Sequence, residues 1–150
     1  MKVLLDTSVL IAAMIPDHSS HESSHHWLSR AKHRAFTFVV SGHSLAKTFA
    51  VLTRLPADPP ITPQVAWNLI EENIVSYAEI QTLITDDYLN VVEDLVRYDL
   101  SGGIIYDAII AKAAQLAKVD RLLTLNVDHF RRVWPEEAGR IVSPETAASP

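Results

Sequence analysis

The sequence predicts an α/β protein with a mainly parallel central sheet and helices on both faces. Three observations predict it. Val3-Leu4-Leu5 and Leu122-Leu123 belong to short apolar runs without polar alternation, the character of strands buried on both faces. Between such runs lie segments whose apolar residues recur at helical spacing. The first run also passes directly into helix-opening chemistry at Asp6-Thr7-Ser8, as strand-to-helix connections of a parallel sheet require.

Taken in order, residues 2–6 form the first strand and 8–14 the first helix, which Ile15-Pro16-Asp17 breaks. Residues 18–34 are polar but carry Trp27, Leu28 and Ala31, which predicts a surface helix with one packed edge. The aromatic and β-branched run 36–40 is the second strand. Ser41 caps a helix over 42–54, in which Leu45, Phe49 and Leu52 lead to Leu55 at helical spacing. Four prolines stiffen 56–63, and Thr62-Pro63 supplies the cap and first position of the next helix.

A third strand is expected within 77–83. Thr85 is expected to cap a helix with Asp86 and Asp87 in its first turn and an apolar face of Leu89, Val92, Leu95 and Val96. Ser101-Gly102-Gly103 stops it. Ile104 to Asp107 then opens a tightly packed, alanine-rich central helix over 108–118. A fourth strand is expected over 121–125, a turn and short helix over 126–132, and an edge strand over 140–142.

The length of 150 residues suits one domain, expected over 1–143, with a flexible tail at 144–150. A hydrophobic share of 48% and a charged share of 21% are ordinary for a globular protein. No apolar stretch approaches the ~20 residues that span a bilayer, and no leader pattern is visible, so no membrane association is expected. The chain has no cysteine, which excludes disulfides and thiolate metal sites and suits a reducing cytoplasm. A formal net charge of −5 excludes a general nucleic-acid glue, so any contact with nucleic acid requires a local basic patch.

Polar markers stand at equivalent places in this plan. Asp6 ends the first strand, Asp107 starts the central helix, and Asn126 and Asp128 follow the fourth strand. In a parallel sheet these places converge on one edge. Clustered carboxylates repel one another and are costly to bury without a cation. An all-oxygen set suits a hard cation such as Mg²⁺ or Mn²⁺, which can activate water and brace phosphate charge. The alternative is an ordinary scatter of acids at strand ends, with Asp6 capping a helix.

The chain also resembles the PIN-domain proteins, and most closely the VapC-type toxin ribonucleases. The resemblance runs from residue 2 to about 143. It is carried by Leu4-Leu5-Asp6-Thr7-Ser8, Ser44-Leu45-Ala46 with Ala50 to Pro56, Gly102 to Ala108, and Leu123-Thr124-Leu125-Asn126 with Phe130. It implies a PIN-like α/β/α sandwich around a mainly parallel sheet. It further implies a Mg²⁺- or Mn²⁺-dependent endoribonuclease acting on RNA, a homodimer, and a cognate antitoxin protein. Asp6 matches the first acid of the family and Asp107 the third, so both are expected to hold the metal. Asn126 aligns with the fourth acidic position, with Asp128 two residues on, and Ser8 and Thr124 match hydroxyls beside the metal.

The second acid is replaced. Where the family usually reads Ser-Leu-Ala-Glu, this chain reads Ser44-Leu45-Ala46-Lys47. An ammonium cannot ligate Mg²⁺, but it can pair with Asp6 and Asp107. Three readings stay open: a silenced member that still binds RNA or antitoxin, an acid from elsewhere such as Asp128 substituting, or a change that makes a toxin tolerable to its host.

Three further features are noted. His21-Glu22-Ser23-Ser24-His25 has the spacing of a zinc hydrolase motif, but it lies on a polar helix without an evident third ligand. Arg30, Lys32, His33 and Arg34, near Trp27, are candidates with Arg131 and Arg132 for RNA phosphate contacts around the acidic site; the alternative is a solvated charge run. Trp67 and Trp134 are expected to pack.

Overall fold

The computed structural model describes residues 1–147. Among these, five strands form one sheet in the order β3-β2-β1-β4-β5, with every neighbouring pair parallel. The strands are β1 (Lys2–Leu5), β2 (Thr37–Ser41), β3 (Glu79–Gln81), β4 (Arg121–Leu123) and β5 (Ile141–Val142). Seven α-helices connect them: α1 (Thr7–Met14), α2 (His21–Lys32), α3 (Gly42–Arg54), α4 (Pro63–Ile70), α5 (Thr85–Arg97), α6 (Ile104–Leu116) and α7 (Val127–Val133). The parallel sheet with helices on both faces is what the apolar runs predicted, and the α/β/α sandwich is what the resemblance implied.

The two-residue period of the strands builds the two layers. Val3, Leu5, Phe38, Val40 and Leu123 join one core with Val9, Leu10, Trp27, Leu52 and Ile70 from α1–α4. Leu4, Val39 and Leu122 point the other way, into a core with Val91, Leu95, Ile110 and Phe130 from α5–α7. Both faces of β1 are therefore dry, which is why its sequence shows no alternation.

Several boundaries follow from local chemistry. Ser41 Oγ accepts the His43 N–H at 3.2 Å and starts α3 where expected. Thr62 Oγ1 accepts the Val65 N–H at 3.2 Å and, with Pro63, starts α4. Helix α5 is closed differently: Asp87 reaches back to accept the Ile84 N–H at 2.9 Å, so Thr85 is the first helical residue rather than the cap. Helix α6 begins at Ile104, earlier than the expected 108, so Asp107 lies inside its first turn. Gly102, at φ +77°, provides the left-handed residue that ends the connection before it.

Three expectations change at this level. Of the face expected on α5, Leu95 is buried, but Leu89, Val92 and Val96 are exposed; Val91 takes the inward place beside Leu95. Trp134 is buried as expected, whereas Trp67 is about half exposed. The basic run 30–34 precedes β2, whose Thr37 N–H donates to the Met1 carbonyl at 2.9 Å. That run therefore lies at the edge where strands start, opposite the edge where Asp6 sits.

Part of the segment expected as a tail lies against the body. Trp27 Nε1 donates to the Pro144 carbonyl at 3.3 Å, Ser20 Oγ donates to Glu145 at 3.0 Å, and Ala147 packs on the first core. Residues 148–150 of that segment lie outside the described residues. No helix among the described residues is long and apolar enough to cross a membrane.

Candidate active site

The chain leaves β1 toward β2 on one side and later returns to β4 on the other, so the sheet order switches between β1 and β4. Adjacent connections there diverge to opposite faces and leave a crevice at the carboxyl ends of the strands. Asp6 follows β1 and Thr124 follows β4, so both stand at this point.

Asp6 is buried and held from four directions. Its Oδ1 accepts the Thr7 N–H at 2.6 Å. Its Oδ2 accepts the Ser8 hydroxyl at 2.7 Å, the Thr124 hydroxyl at 2.9 Å and the Ser8 N–H at 3.4 Å. The contacts to Thr7 and Ser8 make Asp6 the N-cap of α1. Capping and site chemistry are thus two uses of one carboxylate.

Ser8 and Thr124 act as a hinge pin between β1 and β4. Ser8 Oγ also accepts the Leu125 N–H at 3.0 Å, and Thr124 Oγ1 accepts the Asn126 N–H at 3.0 Å. Each hydroxyl donates to Asp6 and accepts from the chain leaving β4, which suits a group with one donor and two acceptor positions.

Asp107 reaches the crevice from the first turn of α6. Burial, and next the charge of Asp6, push its carboxyl above its ordinary value; Lys47 and His129 offset part of the effect. His129 Nδ1 lies 3.4 Å from Asp107 Oδ2. Asp6 and Asp107 are therefore two buried carboxylates close enough to oppose each other's charge.

Lys47 comes from α3 and is half-buried. Among the described residues it makes no ion pair, but its ammonium acts through space on both Asp107 and His43. It partly fills the electrostatic place of a cation. Burial first, and then Lys47, lower the His43 pKa, against the opposite pull of Asp107 and Asp6.

The other predicted residues stand at the rim. Asn126 and Asp128 are exposed at the start of α7, and the Asn126 side chain makes no cap hydrogen bond. Among the described residues no group of three or more histidine or acidic side chains is placed to hold a metal. Two carboxylates, with Asp6 Oδ1 bearing only one hydrogen bond, do fit a hard cation that keeps most of its waters and shares substrate oxygens.

His43 and His129 carry no motif that marks them in the sequence, yet both interact electrostatically with Asp107. His43 is four residues before Lys47 on α3, a spacing that puts both on one helical face. The zinc-like pair is differently engaged: the His21 ring bonds the Ala12 carbonyl at 2.8 Å and lies 5.2 Å from the His25 ring.

The PIN-domain family model matches residues 3–134. The chain belongs to the PIN-domain family, among its VapC-type members. It is 34% identical over 110 residues to Ribonuclease VapC27 of Mycobacterium tuberculosis, covering 73% of this chain and 74% of that protein. In fold it is similar to M. tuberculosis VapC20, a Sarcin-Ricin loop cleaving toxin, with TM-score 0.67 and 16% identity over 85% of this chain and 92% of that one. VapBC2 of Rickettsia felis, bound to a DNA fragment from its promoter, matches with TM-score 0.67 and 18% identity over 95% of this chain and 98% of that one.

Proposed function

We propose that this protein is the toxin of a toxin–antitoxin pair, an endoribonuclease that hydrolyses RNA phosphodiester bonds with a divalent cation held by Asp6 and Asp107. The observation that carries this reading is the placement of two mutually repelling, buried carboxylates at the switch point of the sheet. Asp6 and Asp107 would hold a Mg²⁺ or Mn²⁺ ion, which would supply neutralisation of phosphate charge and acidification of a water.

The chain's own residues do the rest. Ser8 and Thr124 hold the Asp6 carboxylate in one orientation. Asn126 and Asp128 take the fourth position from the rim, ordering water rather than ligating directly. Lys47 stands where an acid is usual, so it weakens cation binding while offering an ammonium to the charge that develops on the phosphate. The antitoxin is the natural protein partner, and the exposed apolar face of α5 suits a second copy of this chain. Its place of action in this reading is the cytoplasm, where RNA is the substrate.

The test is cleavage of structured RNA in Mn²⁺ by the parent, Asp6→Ala and Lys47→Glu proteins. The parent is expected to cut, Asp6→Ala to lose at least about a hundredfold, and Lys47→Glu to need less Mn²⁺ for the same rate. Cleavage by Lys47→Glu alone would instead establish the parent as a silenced member that binds without cutting.

A further inference from the structure

His43 belongs to two neighbourhoods. Its imidazole feels Asp6, Asp107 and Lys47, and it also lines a separate pocket of about 290 Å³ at the carboxyl ends of β2 and β3. Ser41, Gln81, Thr82, Tyr88 and Ile109 complete the walls that matter. His43 thus stands in the wall of this pocket and within electrostatic reach of the acid pair.

Tyr106, the residue before Asp107, lies flat on His43, with ring centroids 5.4 Å apart and planes 2° apart. The separation is that of an offset stack, which orients both rings. Tyr106 keeps half of its surface exposed. A stacked aromatic pair left open to solvent is a platform for another flat π-system.

The polar wall suits the edge of such a ring. Gln81 Nε2 donates to the Thr82 carbonyl at 2.9 Å, which fixes the amide and leaves its oxygen and second N–H available. Charge also points to a neutral group here. The chain carries −5 overall, and its basic run 30–34 is at the opposite edge, so phosphate attraction alone gives little purchase near the acids.

We propose that the His43–Tyr106 stack and the pocket beside it form a nucleobase subsite, which takes one unpaired base of the RNA strand next to the phosphate that is cut. This rests on the nuclease reading, because the acid pair defines which phosphate lies beside the base. The base must be unpaired, since only then are its face and edge both free.

The test is binding of fluorescent single-stranded RNA octamers in EDTA, which prevents hydrolysis, with each position in turn made abasic. One abasic position is expected to weaken binding to the parent by about tenfold. Tyr106→Ala is expected to weaken binding of the intact octamer by a similar factor and to erase the penalty at that position, while Tyr106→Phe keeps both. Tyr106 is exposed, so its loss leaves the core intact; His43→Ala is a second route to the same loss. Equal binding of the intact octamer by parent and Tyr106→Ala overturns the subsite. So does an abasic penalty that persists in both Tyr106→Ala and His43→Ala, or no binding of any octamer by the parent. The Mn²⁺ cleavage assay with its Asp6→Ala control decides the nuclease reading separately.

Discussion

Asp6 has four hydrogen-bond donors around one buried carboxylate, while Asp107 faces it with few. This asymmetry has a pH consequence. Burial and the Asp6 charge raise the Asp107 pKa in the folded protein above its ordinary 3.8. Between those two values the folded state binds more proton than the unfolded state, so this group's contribution to stability falls as pH rises through the window. Above it, the ionised Asp107 opposes folding in full. Asp107→Asn is therefore expected to melt at a higher temperature than the parent in EDTA at pH 7, by an increment that shrinks on acidification. A lower melting temperature for the variant at pH 7 contradicts this. Adding Mn²⁺ is expected to raise the parent's melting temperature and to do little for Asp107→Asn, because only the parent has both carboxylates to bind it.

At the scale of elements, α5 leaves more of its apolar side exposed than its burial of Val91 and Leu95 would suggest. Val91 and Leu95 pack inward, and Ile84, Leu89, Val92 and Val96 stand exposed along one side. The sequence shows a broad apolar face but not how much of it one chain covers. Only the crossing of α5 over α6 makes that choice, since Val91 and Leu95 fill the contact and the remainder stays exposed among the described residues. If a second copy covers it, Val96→Glu converts a dimer to a monomer, as sedimentation velocity would show, with a change in monomer stability within about 0.5 kcal/mol. A parent that sediments as a monomer removes this assignment.

For the whole molecule, the decisive fact is which edge of the sheet each charge occupies. The acids stand where strands end and the 30–34 basic run stands where they start. Lys32 is also engaged there, donating to Asn73 at 2.9 Å with its ammonium 5.4 Å from the Tyr77 ring centre. Joint replacement of Lys32 and Arg34 by Ala is therefore expected to leave RNA cleavage within about twofold of the parent, whereas Lys47→Ala changes it. Loss of cleavage with the distant pair would mean that RNA wraps the molecule from edge to edge. The salt dependence is expected to follow the same geometry: with the basic run on the far edge, the predicted slope is shallow, at about −0.7 per phosphate contacted on logarithmic axes.

Much of this was legible in the chain. The unalternating run 3–5 declares a strand buried on both faces, because each face must be apolar. Ser41, Thr62 and Pro63 declare helix starts through chemistry confined to a few neighbours. The positions of Asp6 and Asp107 at strand end and helix start also follow from local pattern. The tertiary structure alone decided that Ser8 and Thr124 clasp the same carboxylate, that His129 rather than Asp128 reaches Asp107, and that His43 lies flat on Tyr106. Periodicity states which way a side chain leaves its own element, whereas these meetings depend on how separate elements are set against one another across the sheet. The replacement of the usual acid by Lys47 was plain in the sequence; its action on Asp107 and His43 emerged only once α3, α6 and the end of β1 were brought to one crevice.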